Sequence, residues 1–580
     1  MILALWQYIK KNPVHYVIAG VLAIISSLLY LIPNYIIQLF VDGIVENNLI
    51  KEDMIRYFMI FGITMIFIYL TEATWVILTF GQSMKYQTEL RTKMFRHLLT
   101  FRAPFFERFR SGDLMTRMTT DIDMMGTAIG YGFMLVVADG SLLIGVFLIM
   151  VTTISWQATL LSIIPLVIFG FIIYHLGMEL DKRYENSRDE VAKLSNEVLE
   201  VVDGVRVMRA YGKKQLEQKR FQEKTHKVMG KANELVWING AFRQVARLFS
   251  GLSIAIGLLY GGYLVGKTQM TIGELVTFQI YLGFLNGTIW GMAELVGIYQ
   301  QGKVSYRKIN ELETADDLVD KQGILPIDQI EAIQFDQYHF TYPEDKQAVL
   351  KDINFTLKRG ETLGIVGKTG SGKSTLIKQL LRQYPNGQKG QLLMNNVAIS
   401  QYDMNALEKL IGYVPQEHIL FSKSVKHNIE FGNADATEET FAQSIRTADF
   451  EKDVLRMSEG LDTLIGEKGV AISGGQKQRV SMARAMIREP ELLILDDSLS
   501  AVDAKTEQAI IGNIQQIRHN KTTIIVTHRL SAVAHADNIL VIEDGTVVEA
   551  GTPDQLINNK GWYYQQYQKQ QTMEVNHENI

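Results

Sequence analysis

The sequence predicts a multidomain chain in which a membrane-spanning bundle of six α-helices precedes an α/β domain. Three features carry that prediction: long runs almost free of charge before residue 303, an abrupt return to polar sequence, and short β-rich runs alternating with helical patterns beyond it. At 580 residues the chain is long enough for several domains. Hydrophobic residues make up 47%, which excludes a disordered chain, and the absence of Cys excludes disulfides, thiolate metal sites and cysteine nucleophiles. With 58 Lys+Arg against 62 Asp+Glu the net charge is −4, which argues against nucleic acid as a partner.

Residues 12–41 contain no Asp, Glu, Lys or Arg, 57–84 only Glu72, and 131–178 only Asp139. Residues 248–266 and 275–293 are again free of charge. About 20 apolar residues cross a bilayer as a helix, so the 48-residue run 131–178 must fold back, and Thr152-Thr153-Ile154-Ser155-Trp156 is the place for it. The count of spans is therefore six. The first run is too long for a cleavable signal peptide. Segments 85–128 and 179–247 hold 8 and 15 Lys+Arg, against 2, none and 1 in 42–56, 153–157 and 267–274. That asymmetry puts the long loops and both termini on the cytoplasmic side of the cell membrane. The long loops themselves read as helices continuing into water, interrupted at Ala103-Pro104-Phe105-Phe106 and at Asp203-Gly204. They form two hairpins whose tips either touch another domain or present a solvated charged face.

Residues 304–328 are a polar, acidic connector. Beyond it 348–357, 361–366, 492–495, 522–526 and 538–542 read as strands alternating with helices, which indicates a mostly parallel sheet. The expected limits are a transmembrane domain at 1–310, a linker at 311–328, an α/β domain at 329–568 and a polar, disordered tail at 569–580.

Between a strand and a helix stands Gly367-Lys368-Thr369-Gly370-Ser371-Gly372-Lys373-Ser374-Thr375. Glycines let successive backbone N–H groups curl around phosphate oxygens, and the helix that follows adds its positive end. Lys373 suits the β- and γ-phosphates of ATP, and the Ser374 hydroxyl suits Mg²⁺. Leu492-Leu493-Ile494-Leu495-Asp496 is an apolar strand ending in a carboxylate, the second Mg²⁺ ligand beside a phosphate loop. The α/β half therefore reads as a P-loop nucleotide-binding domain.

Ile472-Ser473-Gly474-Gly475-Gln476, 23 residues before Asp496 at its Ser473, resembles the signature of ATP-binding cassette proteins. A Ser cap with two glycines at a helix start is a second anion site. The resemblance implies that it closes over ATP held by an opposite subunit. It further implies that Tyr342 stacks on adenine, that Gln416 senses Mg²⁺ and the attacking water, that Ser500-Ala501-Val502-Asp503 crosses the pair, and that His528 touches the γ-phosphate. Taken singly, Tyr342 is equally an edge-strand aromatic and His528 a helix cap. Phe105-Phe106-Glu107-Arg108 with Ser111-Gly112-Asp113-Leu114-Met115-Thr116-Arg117, and Asp203-Gly204-Val205-Arg206-Val207-Met208-Arg209-Ala210-Tyr211-Gly212, are similar to the two cytoplasmic hairpins of cassette exporters. Over about residues 1–568 the chain resembles half of an exporter of the type IV fold, multidrug type.

One residue departs from that pattern. Most cassettes follow the strand Asp with Glu, the base for water, whereas this chain has Asp496-Asp497-Ser498. Asp is shorter by one methylene, about 1.5 Å, and a misplacement near 1 Å costs on the order of a hundredfold in rate. A weak base beside an intact signature fits one half of a heterodimer in which the partner's site hydrolyses. A homodimer with slow turnover is the alternative, as are lipid or peptide export and an ATP-gated channel or sensor. Three acids in apolar runs, Glu72, Asp139 and Glu294, are expected either to face a cavity that attracts cationic drugs or to take partners on neighbouring helices. Phe133, Met134, Phe278, Tyr281, Phe284, Trp290 and Met292 are candidate linings for an adaptable apolar cavity, or plain packing.

Overall fold

A computed structural model describes residues 1–466 and 472–578; the side chains of 173–182, 185, 239, 242, 243, 293 and 573–578 lie outside that description. The chain forms two compact units, Met1–Leu98 with Gly112–Thr314 and Leu99–Ser111 with Ala315–Ile580.

Backbone amides find no water inside a bilayer, so a spanning segment must satisfy them within its own helix. The first unit obeys this with helices far longer than usual: Lys51–Leu98 and Trp156–Asp203 run 48 residues, Lys214–Gly266 runs 53 and Ile272–Glu313 runs 42. Among the described residues four helical stretches are long and apolar enough to cross a membrane: Pro13–Val45, Lys51–Leu98, Ser111–Ile172 and Gln244–Gly266. The third, at 62 residues, is long enough for two crossings. It is broken at Ser155, whose extended backbone (φ −162°, ψ 117°) ends one helix. The Ser155 hydroxyl accepts the Ala158 N–H and so starts the next helix, within the segment expected to fold back. Ile272–Glu313 starts on a reciprocal cap between Thr271 and Glu274.

Hydroxyls and small residues bring these helices together. Ser83 donates to the Gly126 carbonyl (2.7 Å), Ser253 to Ser162 (2.7 Å) and Ser27 to Ala138 (3.0 Å). Glu72 accepts from the Tyr30 hydroxyl (2.9 Å) and Glu294 from that of Tyr131 (3.1 Å), so both acids have helix-to-helix partners. Asp139 packs on Gly291, where a Cβ would stand 2.4 Å from its Oδ2. Of the two readings open for Phe278 and Tyr281, packing holds: both are buried inside the helix bundle, where Tyr281 donates to the Leu31 carbonyl (3.2 Å). An apolar cavity of about 690 Å³ does exist, lined by Phe133 together with Trp6, Ile9, Val136, Leu295 and Tyr299.

In the second unit a six-stranded sheet has the order Thr546–Gly551, Asn538–Glu543, Thr362–Gly367, Thr522–Val526, Leu492–Asp496, Ile411–Val414. All neighbours are parallel except the antiparallel first pair. Both faces are covered, as a parallel sheet requires. Leu492 and Ile494 pack with Ile365 and Val526 on one side, while Leu493 and Leu495 pack with Val414 and Ile525 on the other. The residues expected as strand 348–357 form Leu350–Lys358 but belong to a separate antiparallel sheet with Ala332–Phe340 and Lys389–Met394. Both of these strands escape the sequence reading: the alternation of Ile333 and Phe335 with Gln334 and Asp336 loses its phase at the bulge around Gln337, and Lys389–Met394 opens on three exposed residues. Two boundaries also move. Helix Ile272–Glu313 runs past the expected limit at 310, and helix Trp562–Glu578 runs through the stretch expected to be a disordered tail.

The close approach at Gly273 generates a prediction. Its N–H and the Thr271 hydroxyl both donate to Asp42 at 2.8 Å, and a Cβ there would lie 2.4 Å from the Gln38 carbonyl oxygen. Gly283 in the same helix has nothing within 4 Å of its Cβ position. Gly273→Ala should destabilise the protein by about 1–3 kcal/mol, read as a lower Tm of the detergent-purified chain, and Gly283→Ala should leave Tm unchanged or raised.

Candidate functional site

Four parallel strands of the main sheet end on one side, and the segments leaving them enclose a cavity of about 200 Å³. Its walls are Thr369, Gly370, Ser371, Gly372, Lys373, Ser374 and Thr375 from one strand, Gln416 from a second, Asp496 and Asp497 from a third, and Thr527 and His528 from a fourth. The fold thus brings together candidate residues up to 159 positions apart, from Thr369 to His528.

The loop needs its glycines. Gly370 and Gly372 have φ of +81° and +105°. At Gly367 a Cβ would stand 2.1 Å from the Ile542 carbonyl oxygen. Lys373, nearly buried, donates to the Gly367 carbonyl (2.9 Å) and the Lys368 carbonyl (2.8 Å), which stretches its side chain along the loop. Burial pushes its ammonium below the ordinary lysine range, and Asp497 and Asp496 oppose that. The Ser371 hydroxyl is buried without a partner among the described residues, a group waiting for an acceptor or donor from a ligand. Lys368 turns away and pairs with Glu543 at 2.5 Å, so only its backbone serves the loop.

Asp496, 3% exposed, accepts from Ser374 Oγ at 3.2 Å and from the Tyr413 hydroxyl at 3.5 Å. Burial raises its carboxyl above the usual range. A hydroxyl and a carboxylate at this separation suit a hard cation that keeps several waters and takes its other ligands from phosphate. Tyr413 is a residue the sequence reading passed over; its position three before Gln416, on the strand Ile411–Val414, was the available signal. Asp497 follows in the left-handed region, φ +48°, which Asp tolerates better than most residues. Its N–H donates to the Val526 carbonyl at 2.8 Å, tying it to the strand that delivers His528. Burial and the nearby Lys373 hold His528 below its ordinary pKa, so the ring is neutral at pH 7. Tyr342 sits outside the cavity wall with its hydroxyl 2.9 Å from Thr375 Oγ1 and its ring edge-on to Tyr384.

Two groups lie apart from this cavity. Ser473 caps helix Gly474–Met486 with a reciprocal bond to Gln476, whose amide also donates to Asp453 at 2.9 Å. Gly475 packs against the Ala501 backbone, where a Cβ would meet the carbonyl oxygen at 3.0 Å. Asp503 is a helix cap that accepts from the Thr506 N–H (3.0 Å) and hydroxyl (2.8 Å), and these bonds hold its carboxyl below the usual range. The signature and Asp503 are therefore not part of this chain's own phosphate cavity.

Lys373→Ala should weaken ATP binding at this cavity about ten- to a hundredfold, the value of a charge-assisted hydrogen bond of about 1.5–3 kcal/mol. Photolabelling with an azido-ATP, followed by mapping to this chain, measures it.

Comparison with known proteins agrees with the geometry. The family of ABC transporter transmembrane regions matches residues 16–289, and the ABC transporter family matches residues 350–500. The probable multidrug resistance ABC transporter ATP-binding/permease protein YheI of Bacillus subtilis (strain 168) is 42% identical over 97% of this chain and 96% of its own length. The multidrug resistance-like ATP-binding protein MdlA of Escherichia coli (strain K12) is 32% identical over 97% and 95%. The ATP-dependent lipid A-core flippase of Chromohalobacter salexigens is 30% identical over 83% of each. A bacterial Atm1-family ABC exporter solved with ATP bound shares the fold, with a TM-score of 0.82 at 21% identity over 97% and 98% of the two chains. A phosphate loop, a strand carboxylate and a capped Ser-Gly-Gly-Gln helix on an α/β unit that follows membrane-length helices place the chain in the ATP-binding cassette transporters, as a multi-pass membrane exporter that binds and hydrolyses ATP.

Proposed function

We infer that this chain is one half of a heterodimeric exporter of hydrophobic and amphipathic drugs, with six spans and with both termini in the cytoplasm. The observation that carries the heterodimer is Asp497, a carboxylate one methylene short of the usual base, in the same cavity as Lys373, Gln416 and His528. In this reading Lys373 and the loop N–H groups hold the ATP phosphates, and Ser374, Asp496 and Gln416 hold Mg²⁺. When bound, that ion neutralises charge on the β- and γ-phosphates. Tyr342 stacks on adenine. His528, neutral at pH 7, offers a ring nitrogen to the γ-phosphate side of the cavity. Asp497 orients water poorly, so the site built on this phosphate loop mainly retains ATP.

The separation of Ser473, Gly474, Gly475 and Gln476 from the chain's own cavity supports their service to a partner, because a helix start carries backbone N–H groups that its own turns do not satisfy. Asp503 and the segment before it, packed on the signature glycines, stand beside the same surface. Multidrug names among relatives of full length support drugs as cargo. The hairpin tips transmit the closure of the cassettes to the spans.

Two outcomes test this. In the assembled pair, Asp497→Asn should change ATP turnover by less than about threefold, under 1 kcal/mol of barrier. Ser473→Ala or Gly474→Asp should lower it about 10²–10³-fold, as loss of a donor to developing charge does. Equal losses from both would return the reading to a homodimer. Shortening the tip at 203–212 should spare ATPase while abolishing uphill dye uptake into inverted vesicles, and uptake that only equalises the gradient would identify a channel instead.

A further inference from the structure

The connector after the last membrane helix is bound to the α/β unit as a strap. Its Leu325 N–H donates to the Gln401 carbonyl (3.0 Å), and the Leu325 carbonyl accepts from the Asp403 N–H (2.8 Å). Buried Arg382 donates to the carbonyls of Asp320 (2.7 Å) and Tyr402 (2.9 Å). At Gly323 a Cβ would stand 2.2 Å from the Tyr402 oxygen, so the strap lies flush on the unit.

The most buried charged group of the strap is Asp317, 1% exposed. Its Oδ2 accepts from the backbone N–H of Arg102 (2.5 Å) and from Lys321 Nζ (2.6 Å), and its Oδ1 accepts from the Val319 N–H (3.2 Å). Arg102 is the residue that opens the tip helix Ala103–Arg108 of the first hairpin, and its own side chain provides no cap. Lys321 also lies 5.5 Å from the centre of the Phe101 ring. A carboxylate this buried is tolerable only with its partners in place, so the three donors are held in one geometry. The tip has other contacts on the same unit, Arg102 with Glu408 (2.5 Å) and Tyr384 with Glu107. Those contacts are partly exposed side-chain pairs, whereas Asp317 grips the tip by its backbone.

We propose that Asp317 is a positioning residue that fastens the first hairpin tip to the connector, so that movement of the α/β unit is delivered to the membrane helices through this carboxylate. The proposal rests on the reading of the tips as transmitting elements. Asp317→Asn keeps an oxygen for the Arg102 N–H but loses the charge that holds Lys321; Lys321→Gln removes the same pairing from the other side.

The test compares wild type, Asp317→Asn and Lys321→Gln as full chains in the assembled dimer in liposomes, with ethidium as the transported probe. Amide exchange in peptides covering residues 100–108 should quicken about tenfold or more, the worth of a charged hydrogen bond. Ethidium moved per ATP hydrolysed should fall several-fold, with ethidium-free ATPase and ATP affinity unchanged. Unaltered exchange overturns the proposal, as does faster exchange with an unaltered transport-to-ATP ratio. A parallel fall of ATPase and transport, which leaves their ratio unaltered, overturns it as well, because it marks a merely structural role. If the wild-type pair moves no ethidium, the export reading is at fault, and the exchange at 100–108 still decides whether Asp317 holds the tip.

Discussion

Leu492–Asp496 is a strand in which every residue is buried, flanked by Thr522–Val526 and Ile411–Val414 in parallel register. Each buried aliphatic side chain of such a strand contributes about 1.5–3 kcal/mol. The place of Asp496 is therefore set by apolar packing on both faces of the sheet, before any ligand is considered. Parallel strands share one carboxyl edge, and the loop after Thr362–Gly367, Gln416, Asp496, Asp497 and His528 all leave from it. The cavity, the hydroxyl–carboxylate pair of Ser374 and Asp496, and the placing of the histidine are consequences of that one shared direction.

The membrane half answers to a different constraint. With no water available for the backbone, irregular structure is confined to short breaks such as Ser155 and to the hairpin tips. Some polar side chains inside the bundle bond to neighbouring helices: Tyr30 to Glu72, Tyr131 to Glu294, Ser253 to Ser162. A carboxylate in such surroundings is costly, and an aromatic hydroxyl from the next helix reduces that cost without adding a second charge.

Within each unit the chain also uses buried charge as a fastener. Arg117, 7% exposed, donates to Asp113 (2.8 Å), Glu311 (2.9 Å) and the Lys308 carbonyl (2.8 Å), which joins the returning arm of the first hairpin to the end of the last helix. Asp317 does the corresponding work a few residues later, at the other end of the same tip. Removing one partner from such a cluster strands the rest in a low-dielectric site, which is why its geometry is narrow. The result is one narrowly held charged cluster within each unit, around Arg117 in the first and around Asp317 in the second.

Much of the protein was legible in the sequence because the signals were local. Charge-free runs announce membrane helices, Gly367 to Thr375 announces a phosphate loop, and Ser473 with Gln476 announces a capped helix start, each from residues within one or two turns of one another. What only the tertiary structure decided depends on groups far apart in the chain. The strand 348–357 looked like any other strand, but of the others in its sheet one has its alternation put out of phase by a bulge at Gln337 and one opens on exposed Lys389, Gly390 and Gln391. Phe278 and Tyr281 could not be told from cavity residues, since an apolar side chain on a span reads the same whether it meets lipid, ligand or a neighbouring helix. Asp317 is one acid among several in a polar connector, and only folding brings the Arg102 N–H, 215 positions away, to its carboxylate. Local pattern reports what a segment is; burial and pairing, which are properties of the whole chain, determine what it holds.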